Sequence, residues 1–111
     1  MVNNLYQKWA QYAIGGSMNP SVKSEANLFV ASKSGKKEVT WRSDTVGNKK
    51  SWRFYSVRDA FENGASFIQT GFGGAKPNYN RQQSFPVVDA QSVRSLTRSA
   101  GVLRCTQKSR C

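Results

Sequence analysis

The sequence predicts an α+β domain: a small, mainly antiparallel sheet of roughly three to five strands, with about two or three helices packed on one face. Three observations support this expectation. Apolar residues recur at helical spacing near both ends of the chain, two central runs alternate apolar and polar side chains, and glycine or asparagine separates the segments. The 111 residues are enough for one domain. We expect that domain over 1–104, followed by a basic tail over 105–111.

The first half of the chain is predicted to contain a helix and a strand. The helix is expected over 4–14, where Leu5, Trp9 and Ala13 recur at every fourth position and so share one face. Two glycines follow and end it. A strand is expected over 27–32 because the centre of that segment is rich in β-prone residues.

The centre of the sheet is predicted to be a β-hairpin at about residues 39–56. Its two runs, 39–44 and 51–56, each alternate apolar and polar side chains on either side of a Gly-Asn turn. Because successive side chains of a strand point to opposite faces, the pattern assigns to the core Trp41, Trp52 and Phe54.

A second helix and a further strand are expected after the hairpin. Residues 56–63 carry a capping pattern in which Ser56 precedes Asp59 by three positions, and Gly64 can end the helix. The segment 66–70 is expected to return to the sheet as a strand.

The last predicted helix begins near Asp89, a favourable N-cap residue. Its buried stripe is expected to consist of Val93, Leu96 and Ala100. An edge strand could follow at 102–105.

Composition argues against catalysis and against a metal site. The chain has no histidine, so the commonest general base near neutral pH is missing, and its six carboxylates are scattered. Its two cysteines, Cys105 and Cys111, are too few for a metal site without other ligands. We therefore expect no enzymatic activity, no cofactor and no metal, and the sequence leaves open whether the cysteines form a disulfide.

Net charge is the strongest functional signal. Seventeen lysines and arginines outnumber the acidic residues to give a net charge of +11, which attracts polyanions. The outward positions of the predicted hairpin combine arginine with an exposed tyrosine, as single-stranded nucleic-acid sites do. The residues assigned to nucleic-acid binding are Arg42, Lys49, Lys50, Arg53, Tyr55, Lys76, Arg81, Arg94 and Arg98.

One alternative function would use the same positively charged side chains. A non-catalytic docking, linker or inhibitor protein could use these side chains on an acidic protein surface, since arginine and tyrosine are common at interfaces. No apolar run approaches the ~20 residues of a membrane span, and a cytoplasmic location is expected. The oligomeric state stays open.

Overall fold

The computed structural model describes residues 1–42, 52–71 and 75–101. Within these ranges the secondary structure consists of short strands and a little helix. The strands are β1 (Leu5–Gln7), β2 (Ile14–Gly16), β3 (Ser21–Glu25), β4 (Leu28–Val30), β5 (Thr40–Arg42), β6 (Arg53–Val57) and β7 (Ala60–Glu62). The helical segments are two 3₁₀ turns, Arg81–Gln83 and Ala90–Ser92, and one α-helical turn, α1 (Val93–Leu96).

Every pairing between these strands is parallel, and the strands form three sheets. The first sheet has the order β1–β4–β7, the second pairs β2 with β5, and the third pairs β3 with β6. Each circuit of the chain thus adds one strand to each sheet in turn. This is a parallel β-helix, in which successive coils stack on one another.

The predicted α+β fold with an antiparallel sheet is therefore wrong. The segment expected to form the first helix contains β1 and the first residue of β2, and residues 56–63 form the end of β6, a turn and β7. Within the described residues the two predicted hairpin strands do not pair with each other, because β5 and β6 lie in different sheets and each pairs with a strand of the preceding coil. Residues 43–51 of the predicted hairpin lie outside the described residues. The expected strand at 27–32 is present as β4.

Residues 66–70 form isolated bridges rather than a strand in the described chain. Ser66 bridges Glu38 in parallel, and Thr70 bridges Phe54 in antiparallel orientation. The possible edge strand at 102–105 lies outside the described residues.

A repeated corner connects the third sheet to the first. Asn3, Ala26 and Arg58 occupy equivalent positions in successive coils, and all three have left-handed backbones with φ of 53°, 51° and 56°. This conformation is uncommon for residues other than glycine. It turns the chain at the corner, so that a strand of the third sheet leads within a few residues into a strand of the first.

A column of amide and carboxylate side chains stabilises the same corners. The backbone N–H of Asn4 donates to Oδ1 of Asn27 at 2.8 Å, and that of Asn27 donates to Oδ1 of Asp59 at 2.8 Å. The first pair is separated by 23 residues and the second by 32. Each side chain thus satisfies a backbone donor of the preceding coil, which a corner would otherwise leave unpaired.

Stacked apolar side chains fill the interior of the coils. The rings of Tyr6, Phe29 and Phe61 form a column, with centroid separations of 4.9 Å and 5.6 Å. The core cluster consists of Trp9, Ile14, Phe29, Ala31, Val39, Trp52 and Phe54. The sequence prediction of Trp52 and Phe54 as core residues is confirmed, and that of Trp41 is wrong because its side chain is 45% exposed.

The segment around α1 lies along the outer side of the first sheet. Asn3 and Val88 exchange two hydrogen bonds, Nδ2 to O at 2.8 Å and N to Oδ1 at 3.0 Å. Asp89 accepts from the N–H of Gln91, as expected of an N-cap, although the helix it opens is short. Val93 is fully buried, but Leu96 and Ala100 are exposed, so the predicted stripe is only partly correct. Among the helices that the structure describes, none has the length and apolar character that crossing a membrane would require.

Candidate functional site

Two large aromatic side chains stack on the outer surface of the second sheet. The rings of Tyr12 and Trp41 lie 5.3 Å apart between centroids, with their planes within 14° of parallel. Both are exposed, Tyr12 by 38% and Trp41 by 45%. An exposed ring face of such a stack can pack against a ligand that has a flat apolar face. We call this pair the Tyr12–Trp41 platform.

A glycine makes the platform possible. Gly15 pairs with Trp41 in the parallel register of β2 and β5. A Cβ atom at Gly15 would lie 2.6 Å from Cε2 of the Tyr12 ring, closer than real contacts allow. The absence of a side chain therefore lets the tyrosine ring lie across the strand.

The chain bends at Val39, and this bend turns Trp41 outward. Val39 and Thr40 are consecutive, yet both are buried, with exposures of 0% and 3%. Strict alternation would place Val39 and Trp41 on the same side. Because the corner interrupts the alternation, Trp41 faces solvent, and the hairpin pattern in the sequence assigned it to the wrong side.

The polar side chains that precede and follow Trp41 in the chain are paired with one another. Arg42 Nη2 lies 3.1 Å from Oε1 of Glu38, and its Nη1 donates to Oγ1 of Thr40 at 3.0 Å. The Thr40 hydroxyl in turn donates to Oε1 of Glu38 at 2.8 Å. This network holds the guanidinium on the side of β5 that bears Thr40, opposite to Trp41, in a partly compensated state.

The structure places the described residues predicted to bind nucleic acid on several different elements. Arg42 lies on the second sheet, whereas Arg53 and Tyr55 lie on the outer side of the third. Lys76 and Arg81 are exposed in the segment after the coils. Of the α1 region, Arg94 is paired with Glu62 and Arg98 is exposed. Lys49 and Lys50 lie outside the described residues.

Sequence reasoning did not find the platform. The sequence pattern assigns Trp41 to the core and includes Tyr12 in the helix expected over 4–14, whereas their contact depends on the stacking of two coils. The described residues contain no group of three His, Cys, Asp or Glu side chains that could hold a metal ion. The available signal for the platform was Gly15, which follows Tyr12 closely in the sequence, and a glycine there by itself indicates only a turn.

The relatives found by comparison with known proteins are named as pectate lyases. No protein-family model matches the chain. It is 46% identical over 106 residues to the putative pectate lyase 2 of Arabidopsis thaliana, a match covering 95% of this chain and 28% of that protein. It is 40% identical over 114 residues to pectate lyase 1 of Chamaecyparis obtusa, covering 100% of this chain and 30% of that protein.

A solved structure agrees in fold. The crystal structure of Jun a 1, the major allergen from cedar pollen, matches with a TM-score of 0.80 and 40% sequence identity. The match covers 92% of this chain and 30% of that chain. This chain thus spans less than a third of the length of the proteins it resembles.

These similarities contradict the functional predictions made from the sequence. The relatives are named as pectate lyases, which are neither nucleic-acid-binding proteins nor docking proteins for an acidic protein partner. The expectation of a non-enzymatic protein is contradicted by the same names. The physical reason for the error is that net charge indicates the sign of a partner but not its chemical class.

Proposed function

We propose that this chain contributes stacked coils to a pectate lyase-type protein and that the Tyr12–Trp41 platform binds the pectate chain. One observation carries the proposal: the similarity to pectate lyases extends over 95–100% of the chain, and so includes both strands that bear the platform.

The chemistry of the platform suits this substrate class. Pectate is a chain of sugar acids, and each unit combines a ring face of C–H groups with a carboxylate. An aromatic ring can pack against the C–H face. The net charge of +11 favours a substrate that carries a carboxylate on each unit.

The role assigned to these coils is to bind and orient the substrate. Elimination needs a base that removes the proton beside the sugar carboxylate, together with cations that stabilise the negative charge that develops there.

The binding part of the proposal is tested by affinity electrophoresis in gels containing polygalacturonate or neutral galactan. Wild-type protein should be retarded only by polygalacturonate. Trp41→Ala should weaken that retardation roughly tenfold in apparent Kd, because it removes one ring of the stacked pair. Leu96→Ala is the matched control, since it removes an exposed apolar side chain from α1. Equal mobility of wild type and Trp41→Ala in polygalacturonate would contradict the assignment of the platform.

The catalytic part is tested by the ultraviolet absorbance of the double bond that elimination leaves in the sugar ring. A protein containing these coils within a chain of the relatives' length should generate this signal from polygalacturonate. A folded protein that binds polygalacturonate but forms no unsaturated product would contradict lyase activity.

A further inference from the structure

The outer side of the third sheet carries a second group of basic and aromatic side chains. Val22, Ser24 and Phe54 point inward, so the alternate positions of β3 and β6 face outward. In register, Ser21 pairs with Arg53, and Lys23 pairs with Tyr55. Tyr55 is 37% exposed. This surface is separate from the platform, which lies on the second sheet.

A segment that follows the coils crosses this surface and forms a cleft with β3. The cleft has a volume of about 290 Å³ and is lined by Ser21, Lys23, Lys76 and Tyr79, among others. Tyr79 is 42% exposed, and its ring lies 5.9 Å from that of Phe85, which supports it from one side. A volume of this order accommodates a single small ligand group.

The cleft has an excess of positive charge. The Glu25 carboxylate forms ion pairs with Lys23 and Arg58, and the distance from nitrogen to oxygen is 2.6 Å in each. Hydrogen bonds from these two cations hold the pKa of Glu25 below its usual range, so one carboxylate offsets two cations at neutral pH. Lys76 lines the cleft and, among the described residues, forms no ion pair with an acidic side chain.

We propose that the cleft between β3 and residues 75–79 binds a carboxylate-bearing sugar unit of an acidic polysaccharide, as a second site separate from the Tyr12–Trp41 platform. Lys76 is the cation for the carboxylate, and the Tyr79 ring packs against the sugar face. The choice of polysaccharide rests on the proposed function. The cleft, its charge and its exposed aromatic ring are independent of the platform.

The test is an NMR titration of the 111-residue chain with trigalacturonate, in which the two sites report separately. The indole N–H of Trp41 reports on the platform, and the backbone amides of Lys76 and Tyr79 report on the cleft. We expect both sets of signals to shift, with separate saturation curves. Shifts at Trp41 alone would overturn the second site and leave the proposed function in place. Shifts at Lys76 and Tyr79 alone would support the second site and contradict the platform.

Variants then identify the chemistry of the cleft. Lys76→Gln should weaken binding at the cleft about fivefold, because it removes the cation expected to bind the carboxylate. Arg81→Gln is the matched control: it removes a charge from the same segment, at a residue that does not line the cleft, and should change binding less than about twofold. An equal effect of the two variants would show that only net charge matters and would overturn the proposal.

The aromatic contribution is separated from charge in the same way. Tyr79→Ala should weaken trigalacturonate binding at the cleft roughly fivefold, with the Trp41 signal saturating as in wild type. A short poly-glutamate should leave the amides of Lys76 and Tyr79 unshifted at concentrations where trigalacturonate saturates them. Equal shifts with poly-glutamate would overturn the assignment to a sugar.

Discussion

Gly15 and Gly16 are adjacent in β2, yet an added methyl group would meet different surroundings at the two positions. At Gly15 the nearest atoms belong to the ring of Tyr12, which is on the surface. At Gly16 they belong to Pro20 and to the buried ring of Phe54, at 2.6 Å and 2.7 Å. One glycine therefore permits the binding surface, and the other permits the packing of the core.

These surroundings predict that alanine at position 15 mainly weakens binding, whereas alanine at position 16 mainly lowers stability. Gly15→Ala should displace the Tyr12 ring and weaken polygalacturonate binding about as much as Trp41→Ala, with a loss of stability below ~1 kcal/mol, since an exposed ring can move away. Gly16→Ala should destabilise the fold by about 1–3 kcal/mol, because the core is close-packed and Phe54 cannot move. Urea unfolding and affinity electrophoresis of both variants measure the two effects. Normal binding by Gly15→Ala would contradict the role given to this glycine.

The corners between the third and first sheets depend on the Asn4–Asn27–Asp59 column. Asn27 is the central member and is fully buried, whereas Asn4 is exposed. The Asn27 side chain accepts from the backbone of Asn4 and donates through Nδ2 to Ser24 Oγ at 2.8 Å. The element is thus a set of hydrogen bonds between coils, formed by side chains distant in sequence.

Alanine substitutions at Asn27 and Asn4 should distinguish the buried centre of this column from its exposed end. Asn27→Ala should lower the free energy of unfolding by about 2–4 kcal/mol, because it leaves buried groups of two coils without partners. Asn4→Ala removes the same side chain at the exposed end of the column and should cost about 1 kcal/mol or less. Chemical unfolding of the two variants gives the comparison. Equal losses would mean that the column does not act through burial.

The three sheets make the molecule a stack whose middle coil is paired on both sides. In the first sheet, β4 lies between β1 and β7. The N–H of Leu28 donates to Asn4 O at 2.9 Å, and the N–H of Ala31 donates to Glu62 O at 3.2 Å, so the middle coil is hydrogen-bonded in both directions. Stability in such stacks comes from contacts between neighbouring coils.

Amide exchange should follow this arrangement. The amides of Leu28 and Val30 in β4 should exchange more slowly than those of β1 and β7, because opening the middle coil disrupts two interfaces and opening an outer coil disrupts one. Hydrogen–deuterium exchange read by NMR measures the order. Faster exchange in β4 than in β7 would contradict a stack of mutually stabilising coils.

Local sequence patterns identified several features correctly: the strand β4, the burial of Trp52, Phe54 and Val93, the exposure of Arg53 and Tyr55, and the cap at Asp89. These depend on neighbours along the chain, where alternation and capping operate. The three sheets and the Tyr12–Trp41 platform depend instead on pairing between coils, over separations such as the 23 and 32 residues of the corner column. Because the turns differ in length, no constant period marks the coils. Because corners such as Val39 interrupt the alternation, only the stacked structure decides which side chains of β5 face solvent.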